Sequence, residues 1–248
     1  MISKSIIPNA LTMCNLLGGA YVCWMAASRG DLSDGTVALV WLGALFCDVL
    51  DGFVARQLGV DGPMGVQLDS LADIVTGGLA PSFVAFNLLN NSEVPLGMIG
   101  EISDLTCVLP WFVVVASAYR LARYNVRAED DNLEGFFEGL PSPASGVFWS
   151  GMMVWQGGEL VGLEHNVINV VGVMGLALVP IFMVLKRKFF AFKGWGKSAD
   201  VDKIRKAFLA VTALVIAGVF IAGFNMFAAA PLCVLLYSCF AFVLTPNK

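Results

Sequence analysis

Residues 47–73 read CDVLDGFVARQLGVDGPMGVQLDSLAD and set four carboxylates, Asp48, Asp51, Asp69 and Asp73, into two otherwise apolar segments. A carboxylate in a membrane-like sequence is costly, so each one needs a metal, a partner or water. On a helix, residues three or four apart share a face. Asp48, Asp51, Gly52 and Ala55 therefore form one stripe, acids beside small side chains. Gly65, Asp69 and Asp73 form a second at strict four-residue spacing. The short connection 57–65 makes the two helices antiparallel neighbours, so the stripes can face each other.

The surrounding chain is greasy. Of 248 residues, 58% are apolar and 14% charged, with mean hydropathy +0.78, whereas soluble domains run at about 45–50% apolar and about 25% charged. Windows of about 20 apolar residues can cross a hydrocarbon core of about 30 Å as helices. The expected fold is all-α, a polytopic membrane helical bundle of about eight transmembrane helices, at 8–28, 36–56, 66–90, 104–124, 141–158, 166–186, 206–224 and 226–244. These form a single domain over 1–248, with a catalytic core at about 8–186 and a C-terminal helical hairpin at about 206–244, turning around Gly223–Asn225. Segment 125–140 is an acidic connection and 187–205 a basic one. The N-terminal MISKSIIPN runs straight into the first apolar stretch without the pattern of a cleavable signal. The six cysteines form no CxxC pair and read as small packing hydrophobes rather than disulfides or zinc ligands.

Orientation follows from the Lys/Arg bias. With the N-terminus cytoplasmic, every basic residue except Arg29 falls on the cytoplasmic side. Asp48 and Asp51 then lie near the cytoplasmic end of the second span, and Asp69 and Asp73 near the cytoplasmic start of the third. Arg120 and Arg123 reach the same level. The site is expected to face the cytoplasm.

Oxygen-only ligands favour a hard cation, Mg2+ or Mn2+, over zinc. Two such ions would clamp a pyrophosphate and stabilise the attacking and leaving oxygens of an in-line displacement. A salt-bridged or water-filled polar seam is the plainer alternative, but with only Arg56 nearby in sequence it leaves desolvation uncompensated. An ion-coupled transporter is the other alternative, since intramembrane carboxylates also mark ion pathways.

The stretch also resembles, position for position, the signature of the CDP-alcohol phosphotransferases, D-x2-DG-x2-AR-x8-G-x3-D-x3-D. Its fixed positions fall on Asp48, Asp51, Gly52, Ala55, Arg56, Gly65, Asp69 and Asp73. The resemblance implies that the first three aspartates hold a pair of divalent cations, and that Asp73 both touches a metal and is the catalytic base. It implies that Gly52, Ala55 and Arg56, with Gly65, serve the cytidine nucleotide. Thr12 and Asn15, which share a face of the first span, line the nucleotide end of the site by the same resemblance; a polar helix contact is the alternative.

Four further segments resemble the integral-membrane phosphatidylserine synthase branch of that family: IPNALTMCNLLGG (7–19), DSLADIVTGGLAPS (69–82), ASAYRLARYN (116–125) and GLPSPASG (139–146). Gly77 departs from it, an aromatic residue being expected before Gly78. The branch implies CDP-diacylglycerol as donor and L-serine as acceptor, in contact with membrane lipids, with a homodimer and no nucleic-acid partner. An Arg fork matches a carboxylate, so Arg120 and Arg123, with Asn125 and Ser142, are the candidate serine site. Snorkelling cations and a phosphorylated acceptor (glycerol 3-phosphate or an inositol compound) stay open for the two arginines. The single histidine, His165, gives no basis for a phosphatidyl-histidine route. The basic run 186–197 alternates cations with aromatics and reads as an interfacial segment.

Overall fold

The structure is a computed structural model, and it describes residues 4–28, 32, 35–60, 62–90, 108–127, 136–156, 165–192, 196 and 198–244. Nine helical segments appear among them: α1 (Ile6–Ser28), α2 (Gly35–Leu58), α3 (Pro63–Ile74), α4 (Ala80–Asn90), α5 (Trp111–Arg127), α6 (Ser142–Gln156), α7 (His165–Val184), α8 (Ala199–Ile221) and α9 (Ala230–Leu244). A π turn, Val75–Leu79, joins α3 to α4 as one rod. Among the described residues, six stretches are long and apolar enough to cross a membrane: 6–28, 35–58, 63–89, 167–184, 199–221 and 226–243. The two remaining predicted spans, 104–124 and 141–158, correspond to α5 and α6, of 17 and 15 residues. Over their described residues, at 1.5 Å per residue, these reach about 26 and 22 Å.

Helix α6 is buried on nearly all sides, from Ser142 to Trp155, as a helix apolar all round must be. It packs on α2, α4, α7 and α9 and forms the centre of the bundle. Outward-facing positions are apolar instead: Leu17, Phe46, Val49 and Ile221 are all exposed, which suits lipid rather than water as the surrounding solvent.

The turn that joins the two aspartate-bearing helices is set by local chemistry. Gly59 adopts φ +63 and closes α2, with Gly59 N–H on Arg56 O and Val60 N–H on Ala55 O, the left-handed cap that glycine favours. Gly62 is extended and Pro63 opens α3 at the first helical position, where a missing N–H costs nothing. The chain therefore reverses within a few residues and lays α3 back beside α1 and the bundle centre.

Two features differ from the sequence expectations. A short antiparallel ribbon, β1 (Phe136–Glu138) with β2 (Lys188–Phe190), crosses one end of the otherwise helical bundle. Helix α8 also starts at Ala199, so the basic connection ends well before 205. Phe189 and Phe190 are fully buried against Phe208 and Tyr237 rather than facing headgroups, because β2 pairing turns them into the core. The acidic residues Glu129, Asp130, Asp131 and Glu134 lie outside the described residues, as does Cys107; the other five cysteines are unpaired. The C-terminal hairpin turns where expected, with Gly223 at φ +83.

Candidate active site

Asp48 and Asp51 project from the last turns of α2, and Asp69 and Asp73 from α3. One carboxylate oxygen from each of Asp48, Asp51 and Asp69 lies within 4.8 Å of the others. Asp73 stands outside that trio and meets the Asp48 carboxyl group within hydrogen-bonding reach, with Asp69 and Asp51 also close. Helix α1 supplies neutral donors: Thr12 Oγ1 donates to Asp51 Oδ2 at 2.5 Å and Asn15 Nδ2 to Asp48 Oδ1 at 2.9 Å. The donor set fits a hard divalent cation, being three converging carboxylates with oxygen ligands only. Thr12 and Asn15 fix the orientation of two of them from the outer shell.

A cleft of about 300 Å³ opens beside this cluster. Thr12, Asp51, Gly52, Ala55, Arg56, Gly65 and Asp69 line it, with Asn9, Tyr124 and Asn125. The residues expected at the nucleotide thus share one cavity, except Asn15, which sits deeper on Asp48. Around Gly65 a Cβ would meet open space, while at Gly52 it would come to 3.3 Å from Arg56 Nη1. Glycine at 52 keeps the cleft floor low under the arginine.

On the far side of Asp73 lies a second polar group. Arg120 is buried yet electrostatically close to Asp73. Its Nη1 donates to Ser142 Oγ at 2.9 Å, and Ser117 Oγ is 3.3 Å from Ser142 Oγ. Arg120 Nε is buried with no partner among the described residues. Arg123 is directed elsewhere: it donates to Val184 O at 2.8 Å and Glu138 O at 3.4 Å, with Glu138 Oε2 3.8 Å from its Nε. Asn125 donates to Ser70 Oγ at 2.8 Å on the cleft wall rather than beside Ser142. The four residues grouped in sequence as one acceptor site therefore occupy three places.

Sequence reasoning missed Ser117, Trp41 and Thr76. Ser117 carries a usable signal, standing three residues before Arg120 on the same helical face. Trp41 does not: its Nε1 donates to Thr76 O at 3.1 Å, a carbonyl in the π turn that follows Asp73. Such bulges are frequent at functional sites. The departure at Gly77 also has a cause. A Cβ there would lie 2.7 Å from Ser142 Cβ and 2.9 Å from Ser142 O, so the π turn and α6 touch backbone to backbone and no side chain fits.

Residues 5–157 match the family described as CDP-alcohol phosphatidyltransferase. A Bacillus subtilis (strain 168) protein named CDP-diacylglycerol–serine O-phosphatidyltransferase is 30% identical over 184 residues, 73% of this chain and 90% of that one. Proteins of the same name from Mycobacterium leprae (strain TN) and Methanocaldococcus jannaschii are 31% identical over 156 residues and 32% over 145. They cover 61% and 58% of this chain and 48% and 59% of their own length. The chain thus spans about half the length of the mycobacterial relatives it matches. Because the matched segment takes in more than half of the chain and contains all four aspartates, the chain belongs to the CDP-alcohol phosphatidyltransferase family.

Proposed function

We propose that this protein transfers the phosphatidyl group of CDP-diacylglycerol to the hydroxyl of L-serine, releasing CMP and forming phosphatidylserine. The observation that carries this reading is the convergence of Asp48, Asp51 and Asp69 beside Asp73, in a chain whose relatives are named for that reaction. Asp48, Asp51, Asp69 and Asp73 would hold two divalent cations, Mg2+ or Mn2+. Such ions, when bound, neutralise pyrophosphate charge and favour an in-line displacement.

The residues of the chain do the rest. Thr12, Gly52, Ala55, Arg56 and Gly65 seat the cytidine nucleotide in the cleft, and Asn15 supports that end from behind by holding Asp48. Arg120 takes the serine carboxylate, the geometry a guanidinium fork favours. Ser142, whose oxygen accepts from Arg120, keeps its own O–H to donate. Arg123, held by Glu138 and the Val184 carbonyl, buttresses the end of α7, and Asn125 lines the wall of the nucleotide cleft. Asp73 lies between the cluster and Arg120, where a general base must sit to take the serine hydroxyl proton. The serine oxygen then bonds to the lipid-linked phosphorus as the bond to CMP breaks.

We read the chain as one domain over 1–248 with α5 and α6 as the two shorter of eight spans, homodimeric, and with the aspartates on the cytoplasmic side. The test is purified protein with CDP-diacylglycerol, Mg2+ or Mn2+, and labelled serine. CMP release with labelled phosphatidylserine, lost on adding EDTA and restored by excess metal, is the expected outcome. Arg120 would also suit a phosphorylated acceptor, so glycerol 3-phosphate and an inositol phosphate form parallel arms. CMP release with one of those alone would reassign the acceptor and keep the reaction class.

A further inference from the structure

A second large cavity among the described residues is remote from the aspartates. It is a groove of about 670 Å³ between α5 and α7, and it shares no lining residue with the aspartate cleft. Phe112, Val115 and Tyr119 form one wall, and Pro180, Ile181 and Lys186 much of the other. From 112 to 119 the wall runs two helical turns, about 10 Å. Pro180 lies inside α7 and removes a helical hydrogen bond there, a common cause of local bending.

The groove has one polar end. The cations that follow Lys186 are committed: Arg187 donates to Phe242 O, and Lys188 pairs across the ribbon and lies over the Phe136 ring at 5.9 Å. Lys186 makes no hydrogen bond or ion pair among the described residues. Beside it, Arg123 caps the end of α7 through Val184 O and packs over Tyr119 at 5.7 Å. An apolar slot with an ammonium at its mouth that none of the described residues engages is complementary to a single acyl chain carrying an anionic head. A second protein copy would have to bring its own charge to that end.

We propose that this groove binds an anionic glycerophospholipid of the surrounding bilayer, with one acyl chain between α5 and α7 and the phosphate on Lys186. This lipid is distinct from the one undergoing transfer, since α5 turns Ser117 and Arg120 to the opposite, buried side. The inference requires membrane insertion but not the proposed reaction, and it is tested by binding alone.

The full chain is purified in neutral detergent with equimolar phosphatidylglycerol and phosphatidylcholine, and retained lipids are counted by native mass spectrometry. The expected result is retention of phosphatidylglycerol over phosphatidylcholine by about fivefold, the factor that about 1 kcal/mol per interfacial cation provides. Lys186→Gln should remove the preference. Val115→Trp, at a position 64% exposed and so without core consequences, should displace both lipids. Equal retention of both lipids by the wild type, or lipid undiminished in Val115→Trp, would overturn the proposal. So would a disulfide-linked dimer through Val115→Cys in membranes, which would give the groove to a second copy.

Discussion

Three carboxylates with oxygens within 4.8 Å repel one another by roughly 3–4 kcal/mol per pair at an effective dielectric of about 20. The hydrogen bonds from Thr12 and Asn15 return only about 1.5–3 kcal/mol each, so added positive charge is the natural resolution. Two substitutions separate the roles at this scale. Asp73→Asn should lower kcat by about 10²–10⁴-fold, the range for a lost general base, while CDP-lipid binding largely persists; Asp48→Ala should lose metal-dependent binding as well. Equal binding losses, measured by isothermal titration, would make Asp73 chiefly a ligand. Thr12→Val removes the donor to Asp51 without touching a carboxylate. It should weaken Mn2+ affinity by about 10–100-fold, as outer-shell losses do, read by electron paramagnetic resonance of free Mn2+.

At the scale of elements, the contact between the π turn and α6 decides how Asp73 and Ser142 stand to each other. Gly77 and Gly78 bring that turn against Ser142 and Ser117, and Trp41 holds the Thr76 carbonyl. Gly77→Ala tests the contact. Alanine gains about 0.5–1 kcal/mol of helix propensity, but overpacking costs about 1–3 kcal/mol. The obstructing atoms include the Ser142 backbone, which yields little, so overpacking wins. The variant should melt at a lower temperature in detergent and show a raised KM for serine, because Ser142 moves relative to Arg120. An unchanged melt would mean that α6 slides freely along the π turn.

For the whole molecule, the ribbon, Arg120, Arg123 and the aspartate cleft gather at one end of the bundle, linked through Arg123 on Glu138 and Asn125 on Ser70. A membrane-impermeant maleimide should label Ser198→Cys, at the exposed start of α8, only from the cytoplasmic side. Ser28→Cys, at the exposed end of α1, should react only from the opposite side, each above the background of native cysteines. Reversed labelling would invert the orientation and leave the fold untouched. Concentrating charge at one end also fits a catalytic site near a surface rather than at the midplane, where coupled transport sites sit.

By itself the sequence determined the helical class, the reversal at 57–65 and the pairing of Asp48 and Asp51 with Asp69. Those follow from periodicity, from Gly59 and Pro63, and from spacing, all local along the chain. Only the tertiary structure decided what met Asp73 from elsewhere. It brought Arg120 to it and Ser142 to Arg120, sent Arg123 to Glu138 and Asn125 to Ser70, and turned Phe189 and Phe190 inward. These partners lie tens of residues apart, and their meeting depends on how closely backbones approach at Gly77 and Gly78 and on strand pairing at 136–138. Neither packing distance nor register is written in a stretch short enough to be read alone.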